Sequence, residues 1–487
     1  KPVSVLNRMS VTPLCIALIT ASTVVTVAMA QLGIQSEDYK MWKRGTDTYL
    51  RSCGYEFEWR HFTTKDGVNL TLHHVWKQFT ARHGRHKQAT RGIPVLFVHA
   101  LNTNADMWFT SLRRDSFALL LADCGYDVWA INFRGTLYSP YQRPGVSITL
   151  DDNMFNDLPD GIDYILKERG VRKLHVVGMS KGTTVTFGAL ASQPEYNHKV
   201  RMFVAIVPVT YFAKPLFAIE GLTKLLGVLT HTFGSGFIRA FDTNAYWKPL
   251  HIEAFGLFIQ GLALMFPRGE TLIVNMLWTS RFSFERSIYN SSNIARNLHR
   301  GFPDTWSHHE LLQFGQMACA KSFKSFDFAA VPRHYRRNSY EPHVYDLKKV
   351  TARTLILEAS RELFSQPRDY QRTRASLKNL EGAYMVNFPN FQHVDPIVGI
   401  NANGIYGRAF VAKMLKHDGA DMANSQCSGF RFENENTMLR RMGRREVAKV
   451  SRDSVISEAI TTMVKFVVHW YARDYCHWVN SRNHFPI

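Results

Sequence analysis

The sequence predicts an α/β fold with a mostly parallel central sheet and a helical cap inserted into it. Three observations carry that prediction. Short apolar runs alternate with amphipathic segments between about residues 93 and 209, and the same rhythm returns after about residue 340. One run, Leu174-His175-Val176-Val177, leads straight into Gly178-Met179-Ser180-Lys181-Gly182 and then a helix-like stretch, a strand–tight turn–helix pattern. Between the two alternating parts, about 210–339, the rhythm is lost in a region rich in Phe, Leu, Trp and Met.

Composition sets the bounds. A chain of 487 residues with 45% hydrophobic and 20% charged residues is globular, and can bury one large core or two ordinary ones. The net charge of +19 points to an anionic partner or surface, or serves solubility alone. None of the familiar nucleic-acid modules is present, and no nucleic-acid partner is expected.

Residues 9–36 contain no charged side chain; Lys1 and Arg8 precede the run, and Glu37-Asp38 follows it. The apolar stretch Leu14–Val27 and the small residues of Ala28-Met29-Ala30 predict a signal peptide over 1–30, with a retained signal anchor as the competing reading. Cleavage would remove Cys15 and leave Cys53, Cys124, Cys319, Cys427 and Cys476, an odd count that leaves at least one thiol unpaired. Their spacings match no zinc site, and five cysteines in so long a chain make no disulfide scaffold.

The first half of the body, 50–209, opens with Tyr55–Phe62 and Val68–Trp76, which alternate like half-buried strands around a Lys65-Asp66-Gly67 hairpin turn. Asn69-Leu70-Thr71 is a glycosylation sequon, and Asn290-Ser291-Ser292 is a second. Residues 77–91 hold five Lys/Arg and no acid, an exposed loop. Val95–Val98 is a buried strand, 115–122 a helix, Val128–Ile131 a strand, 157–167 an amphipathic helix, and 202–207 a further strand. Within the cap, helical patches lie at 216–229, 252–265 and 310–321. The second half of the body, 340–417, supplies strands at 354–357 and 384–388 and a closing helix at about 405–415. The extension 418–487 carries a basic cluster (Arg440, Arg441, Arg444, Arg445, Lys449, Arg452) and an amphipathic stretch, 455–470, that docks on the body or lies on a membrane surface.

By itself the Gly-x-Ser-x-Gly pattern is weak, since chance supplies it in roughly one chain in six of this length. A serine nucleophile needs a histidine base, and the histidine needs a carboxylate that fixes its tautomer. In an open parallel sheet these groups sit past the carboxyl ends of strands, in the order Ser, acid, His. Glu358-Ala359-Ser360-Arg361-Glu362 follows one strand, and Pro389-Asn390-Phe391-Gln392-His393 follows the next, so Ser180 and His393 are candidates together with one of the acids. Backbone donors for an oxyanion fall on Lys181 and on the turn His99-Ala100-Leu101-Asn102, with Leu101 the candidate there. Such chemistry requires no metal and no organic cofactor.

From about Tyr55 to Leu415 the chain resembles the acid lipases of the gastric and lysosomal type, within the α/β-hydrolases. The resemblance rests on Thr64-Lys65-Asp66-Gly67, on the run Leu121 to Trp129, and on Asn132-Phe133-Arg134-Gly135. It extends through Asp157-Leu158-Pro159, Ile162-Asp163-Tyr164-Ile165, Gly182-Thr183-Thr184 and Tyr345-Asp346-Leu347. It implies an α/β-hydrolase fold and a serine ester hydrolase acting through an acyl-enzyme on neutral lipids, triacylglycerols or cholesteryl esters. It further implies a cap over an apolar acyl tunnel and a secreted or lysosomal location. The expected partners are the lipid ester and a lipid-droplet or membrane interface of anionic character. The resemblance places the nucleophile at Ser180, the base at His393 and the oxyanion donors at Leu101 and Lys181.

Three positions depart from the family pattern. The family acid is an Asp where this chain has Glu362, with Glu358 and Asp395 as fallbacks, the latter in a structural part. Lys181 stands where the family has Gln, and its cation either assists the oxyanion or disturbs the serine–histidine pair. Ala100 replaces a glycine before the oxyanion turn. These departures keep two other readings open: an inactive lipid-binding protein on the same fold, and an esterase of short-chain esters.

Overall fold

A computed structural model describes residues 45–78, 92–141, 148–212, 296–301, 304, 307–328, 342–360, 362, 364–386, 391–399, 401–420 and 427. The signal segment, the basic loop from residue 79 to 91, the cap patches at 216–229 and 252–265, Asn290 and the extension beyond Cys427 lie outside them.

Helix α1 (Thr46–Ser52) leads into strands β1 (Glu56–Thr63) and β2 (Asn69–Trp76), which pair antiparallel from Glu56↔Trp76 to Thr63↔Asn69. The turn between them is closed by Thr64 N–H donating to Val68 O at 2.8 Å, with the Thr64 hydroxyl on Asp66. There follow β3 (Pro94–Val98), α2 (Phe117–Asp123), β4 (Asp127–Asn132), α3 (Leu158–Arg169), β5 (Leu174–Met179), α4 (Lys181–Ser192) and β6 (Val200–Ile206). Helix α5 (His308–Ala320) lies between β6 and β7 in the chain and packs Leu311, Phe314 and Met317 into the core. The chain then adds β7 (Thr354–Ala359), α6 (Pro367–Ser376), β8 (Leu380–Val386) and α7 (Arg408–His417).

The eight strands form one sheet in the order β1-β2-β4-β3-β5-β6-β7-β8, parallel from β4 onward and antiparallel only at β1 and β2. Strands β3, β4, β5 and β7 are buried along their whole length, which is why runs such as Val128–Ile131 and Leu355–Leu357 are apolar at successive positions rather than alternating. Alternate side chains feed two cores. Val95 and Phe97 pack with α2 and α7, whereas Leu96 and Val98 pack with α3, α4 and α5. β3 is flanked by β4 on one side and β5 on the other, so the strand order reverses there, the point at which ligands bind in open sheets of this kind.

Three elements differ from the sequence reading. β8 begins at Leu380, four residues earlier than its apolar run, because it is an edge strand whose half-exposed Leu380-Glu381-Gly382-Ala383 needs no apolar pattern. Helices α3 and α7 each grow out of a π-helical turn, at Asn153–Asp157 and Asn403–Gly407, that residue periodicity does not reveal. The extension is also fastened to the body from its first residue. The Asp418 side chain is buried, accepting from the Tyr126 hydroxyl at 2.8 Å and lying 2.9 Å from His175 Nε2, and Cys427 forms a disulfide with Cys124 at the end of α2. Cys53 carries the free thiol among the described residues. None of the described helices is long and apolar enough to cross a membrane.

Candidate active site

The turn after β5 is built by close approach. A Cβ on Gly182 would stand 2.3 Å from Val98 O, and one on Gly178 would stand 2.8 Å from Gly182 O, so both positions exclude a side chain. Ser180 between them adopts φ 52°, ψ −117°, a backbone region that non-glycine residues rarely occupy. The strain is held by its neighbours: Ser180 N–H donates to Ile206 O at 3.1 Å, and Ser180 O accepts Thr183 N–H at 2.9 Å. Ser180 is thereby fixed, half-buried, at the N-terminus of α4, where the first amides have no helical acceptor.

The loops after β7 and β8 bring Glu362 and His393 together. Glu362 Oε2 lies 2.8 Å from His393 Nδ1, and both side chains are buried. The same carboxylate accepts Phe364 N–H at 2.8 Å on Oε1 and the Tyr370 hydroxyl at 3.3 Å on Oε2. The Phe364 ring packs on the imidazole with centroids 4.6 Å apart. With Nδ1 taken by the carboxylate, Nε2 is the nitrogen left to serve as base. Glu358 faces elsewhere: it is buried, its carboxyl is pushed up by burial, and it pairs with Arg374 at 3.4 Å. Asp395 closes its own turn by accepting Gln392 N–H at 2.6 Å.

The turn after β3 holds Leu101 half-buried next to Asn102, which is left-handed at φ 58°. His99 organises this turn. Its Nε2 accepts Phe133 N–H at 3.2 Å, so its proton sits on Nδ1 and is donated to Ala100 O at 2.8 Å. Burial, with the Lys181 cation adding to it, pushes His99 down to about 3 against the pull of the Ala100 carbonyl, which keeps the ring neutral. The Thr103 hydroxyl also donates to Ala100 O, so the residue that replaces the family glycine is bonded on both sides of the turn.

Lys181 is buried, and its ammonium pairs with the carboxylate of Glu310 on α5. It also lies 5.1 Å from the centre of the Phe133 ring. Neither Glu310 nor Tyr370 was singled out from sequence. Ser307-His308-His309-Glu310 carries the Ser-x-x-Glu signature of a helix start and forms that capping box, but the signature says nothing of a lysine 129 positions away. Asn69 is exposed at the start of β2.

Residues 46–112 match the model described as a partial alpha/beta-hydrolase lipase region, and residues 93–246 match the alpha/beta hydrolase fold. The gastric triacylglycerol lipase of Bos taurus is 29% identical over 370 residues, covering 72% of this chain and 85% of its own length. Lipase member K of Homo sapiens is 27% identical over 365 residues, with the same coverage of 72% and 85%. The lysosomal acid lipase/cholesteryl ester hydrolase of Macaca fascicularis is 26% identical over 353 residues, covering 70% and 82%. Over about 72% of its length the chain is thus similar to acid lipases, within the alpha/beta hydrolase fold. Two charged pairs mark the site: Glu362 on the His393 imidazole, and Glu310 on Lys181, the residue after the serine.

Proposed function

We propose that this protein is an acid lipase that hydrolyses neutral-lipid esters, triacylglycerols or cholesteryl esters, through an acyl-enzyme on Ser180. His393 Nε2 takes the Ser180 proton as Oγ attacks the acyl carbonyl, and Glu362 stabilises the imidazolium that forms. The Lys181 and Leu101 amides receive the oxyanion. The imidazolium then protonates the leaving alcohol, and water, activated by the same imidazole, releases the fatty acid. The observation that carries this reading is the buried Glu362–His393 pair, set on loops of the same sheet whose β5 end presents Ser180 in a strained turn.

The substrate class draws on the relatives, named as a triacylglycerol lipase and a cholesteryl ester hydrolase. Residues 210–339 are the proposed cap over the acyl site, and the basic balance of the chain suits an anionic lipid interface. A secreted or lysosomal location accompanies this reading, and exposed Asn69 is the proposed glycan acceptor among the described residues. The test compares native protein with Ser180→Ala on an emulsified triacylglycerol, a cholesteryl ester and a soluble short-chain ester. Turnover of the emulsified lipids that vanishes in Ser180→Ala is the expected result. Turnover of the soluble ester alone would make it a short-chain esterase, and no turnover of any ester would leave a lipid-binding protein.

A further inference from the structure

Described residues 296–301 and 304, on the chain's way back to the sheet, land on the turn that follows β3. Asn104 N–H donates to Gly301 O at 3.3 Å, and Asp304 N–H donates to Asn102 O at 2.9 Å. The Asn104 side-chain amide reaches Arg300 O at 3.0 Å and Asp304 Oδ2 at 2.7 Å. Ser307 then caps α5, and Glu310, one turn in, meets Lys181. Both side chains of this pair are 4% exposed, so water screens neither charge. Leu311, Phe314 and Met317 of the same helix are buried in the core beneath, which fixes where Glu310 stands.

We propose that Glu310 is a positioning residue for ester hydrolysis. It holds the Lys181 ammonium away from the reacting serine and seats the returning segment on the turn that carries Leu101. The proposal rests on the reading of Ser180 as nucleophile. Lys181 follows Ser180 directly, so an ammonium without a counter-charge would lie within reach of the serine–histidine hydrogen bond. The imidazole becomes positive as it takes the serine proton, and a neighbouring cation opposes that change. Paired with Glu310, Lys181 contributes no net charge, and its backbone N–H is left to face the oxyanion. Because the imidazolium exists in the transition state and not in the bound ester, the effect belongs in kcat rather than KM.

The test is a double-mutant cycle on the full chain with a soluble p-nitrophenyl ester and a fluorophosphonate probe. Glu310→Gln keeps the shape and leaves Lys181 charged. Its kcat is expected to fall about tenfold or more, with KM within about twofold, and its labelling rate to fall in parallel. Lys181→Gln combined with Glu310→Gln removes both charges and keeps every backbone amide, and is expected to recover most of the loss. A native kcat in Glu310→Gln overturns the proposal. So does a loss that the double variant fails to recover while melting as the native protein does. Should Glu310→Gln not fold, the double variant decides: a kcat within about fivefold of native supports the proposal, and a greater loss overturns it. Hydrolysis persisting in Ser180→Ala would instead remove the underlying reading of the site.

Discussion

Replacing Glu362 by Gln removes one charge from the site at almost constant volume. The carboxylate accepts from His393 Nδ1 at 2.8 Å, Phe364 N–H at 2.8 Å and the Tyr370 hydroxyl at 3.3 Å, so both oxygens are committed as acceptors. A glutamine offers only one. With its NH2 at the first oxygen's place it opposes the Phe364 N–H, donor against donor. At the second it faces Nδ1 and drives the ring proton to Nε2, the wrong tautomer for a base. Either way the imidazolium loses its counter-charge. Loss of the carboxylate from such a triad costs about 10⁴-fold in kcat, or about 5.5 kcal/mol at about 1.4 kcal/mol per decade. The assay is steady-state hydrolysis of a soluble ester, with active sites counted by fluorophosphonate titration. Glu362→Gln should lose activity on that scale with KM little changed, while Glu358→Gln, whose carboxylate is engaged by Arg374, should keep native kcat. Activity within about tenfold of native in Glu362→Gln, or its abolition in Glu358→Gln alone, would refute the assignment.

Three further outcomes follow from the same contacts. Tyr370→Phe deletes one hydrogen bond to the Glu362 carboxylate and should lower kcat about threefold to tenfold, read in the same ester assay. Arg134→Met should lower unfolding stability by about 3–5 kcal/mol in a urea melt, because fully buried Asp157 loses the partner that meets it at 2.6 Å. Burial pushes both His73 and His99 down to about 3, whereas the unfolded chain protonates histidine near pH 6.5. The unfolded state therefore binds the extra protons, and each group removes up to about 1.4 kcal/mol per unit as pH falls from about 6.5 toward 3. Buried Asp106, Asp151 and Asp157, whose carboxyls burial pushes up, act in the opposite sense from about pH 4 upward, so the histidine contribution is read as a difference between variants. As pH falls from about 6.5 to 5, the denaturation midpoint of the native protein should lose more, or gain less, than that of His73→Phe.

The sheet was legible because its central strands are buried on both faces, so Val95–Val98 and Leu174–Val177 stand out as apolar runs whatever surrounds them. Ser180 was legible because the turn needs Gly178 and Gly182 for space, a local requirement written in five adjacent residues. His393 and an acid could be placed by strand order, but the choice among Glu362, Glu358 and Asp395 could not. Only the fold shows which carboxylate lies on the imidazole and which is turned toward Arg374 or its own loop. Glu310 and Asp418 escaped for a related reason. Their partners, Lys181, His175 and Tyr126, are over a hundred residues away, and a single chain carries no periodic signal for a contact of that separation. The edge strand β8 was misplaced because half-exposed positions tolerate Glu381 and Gly382.

The most direct measurement of the proposed chemistry is mass spectrometry of the protein after reaction with a fluorophosphonate. A single adduct on the peptide that contains Ser180, blocked by a lipid ester and absent from Ser180→Ala, is the predicted result. An adduct on another residue, or ester hydrolysis that continues once Ser180 is fully modified, would contradict it.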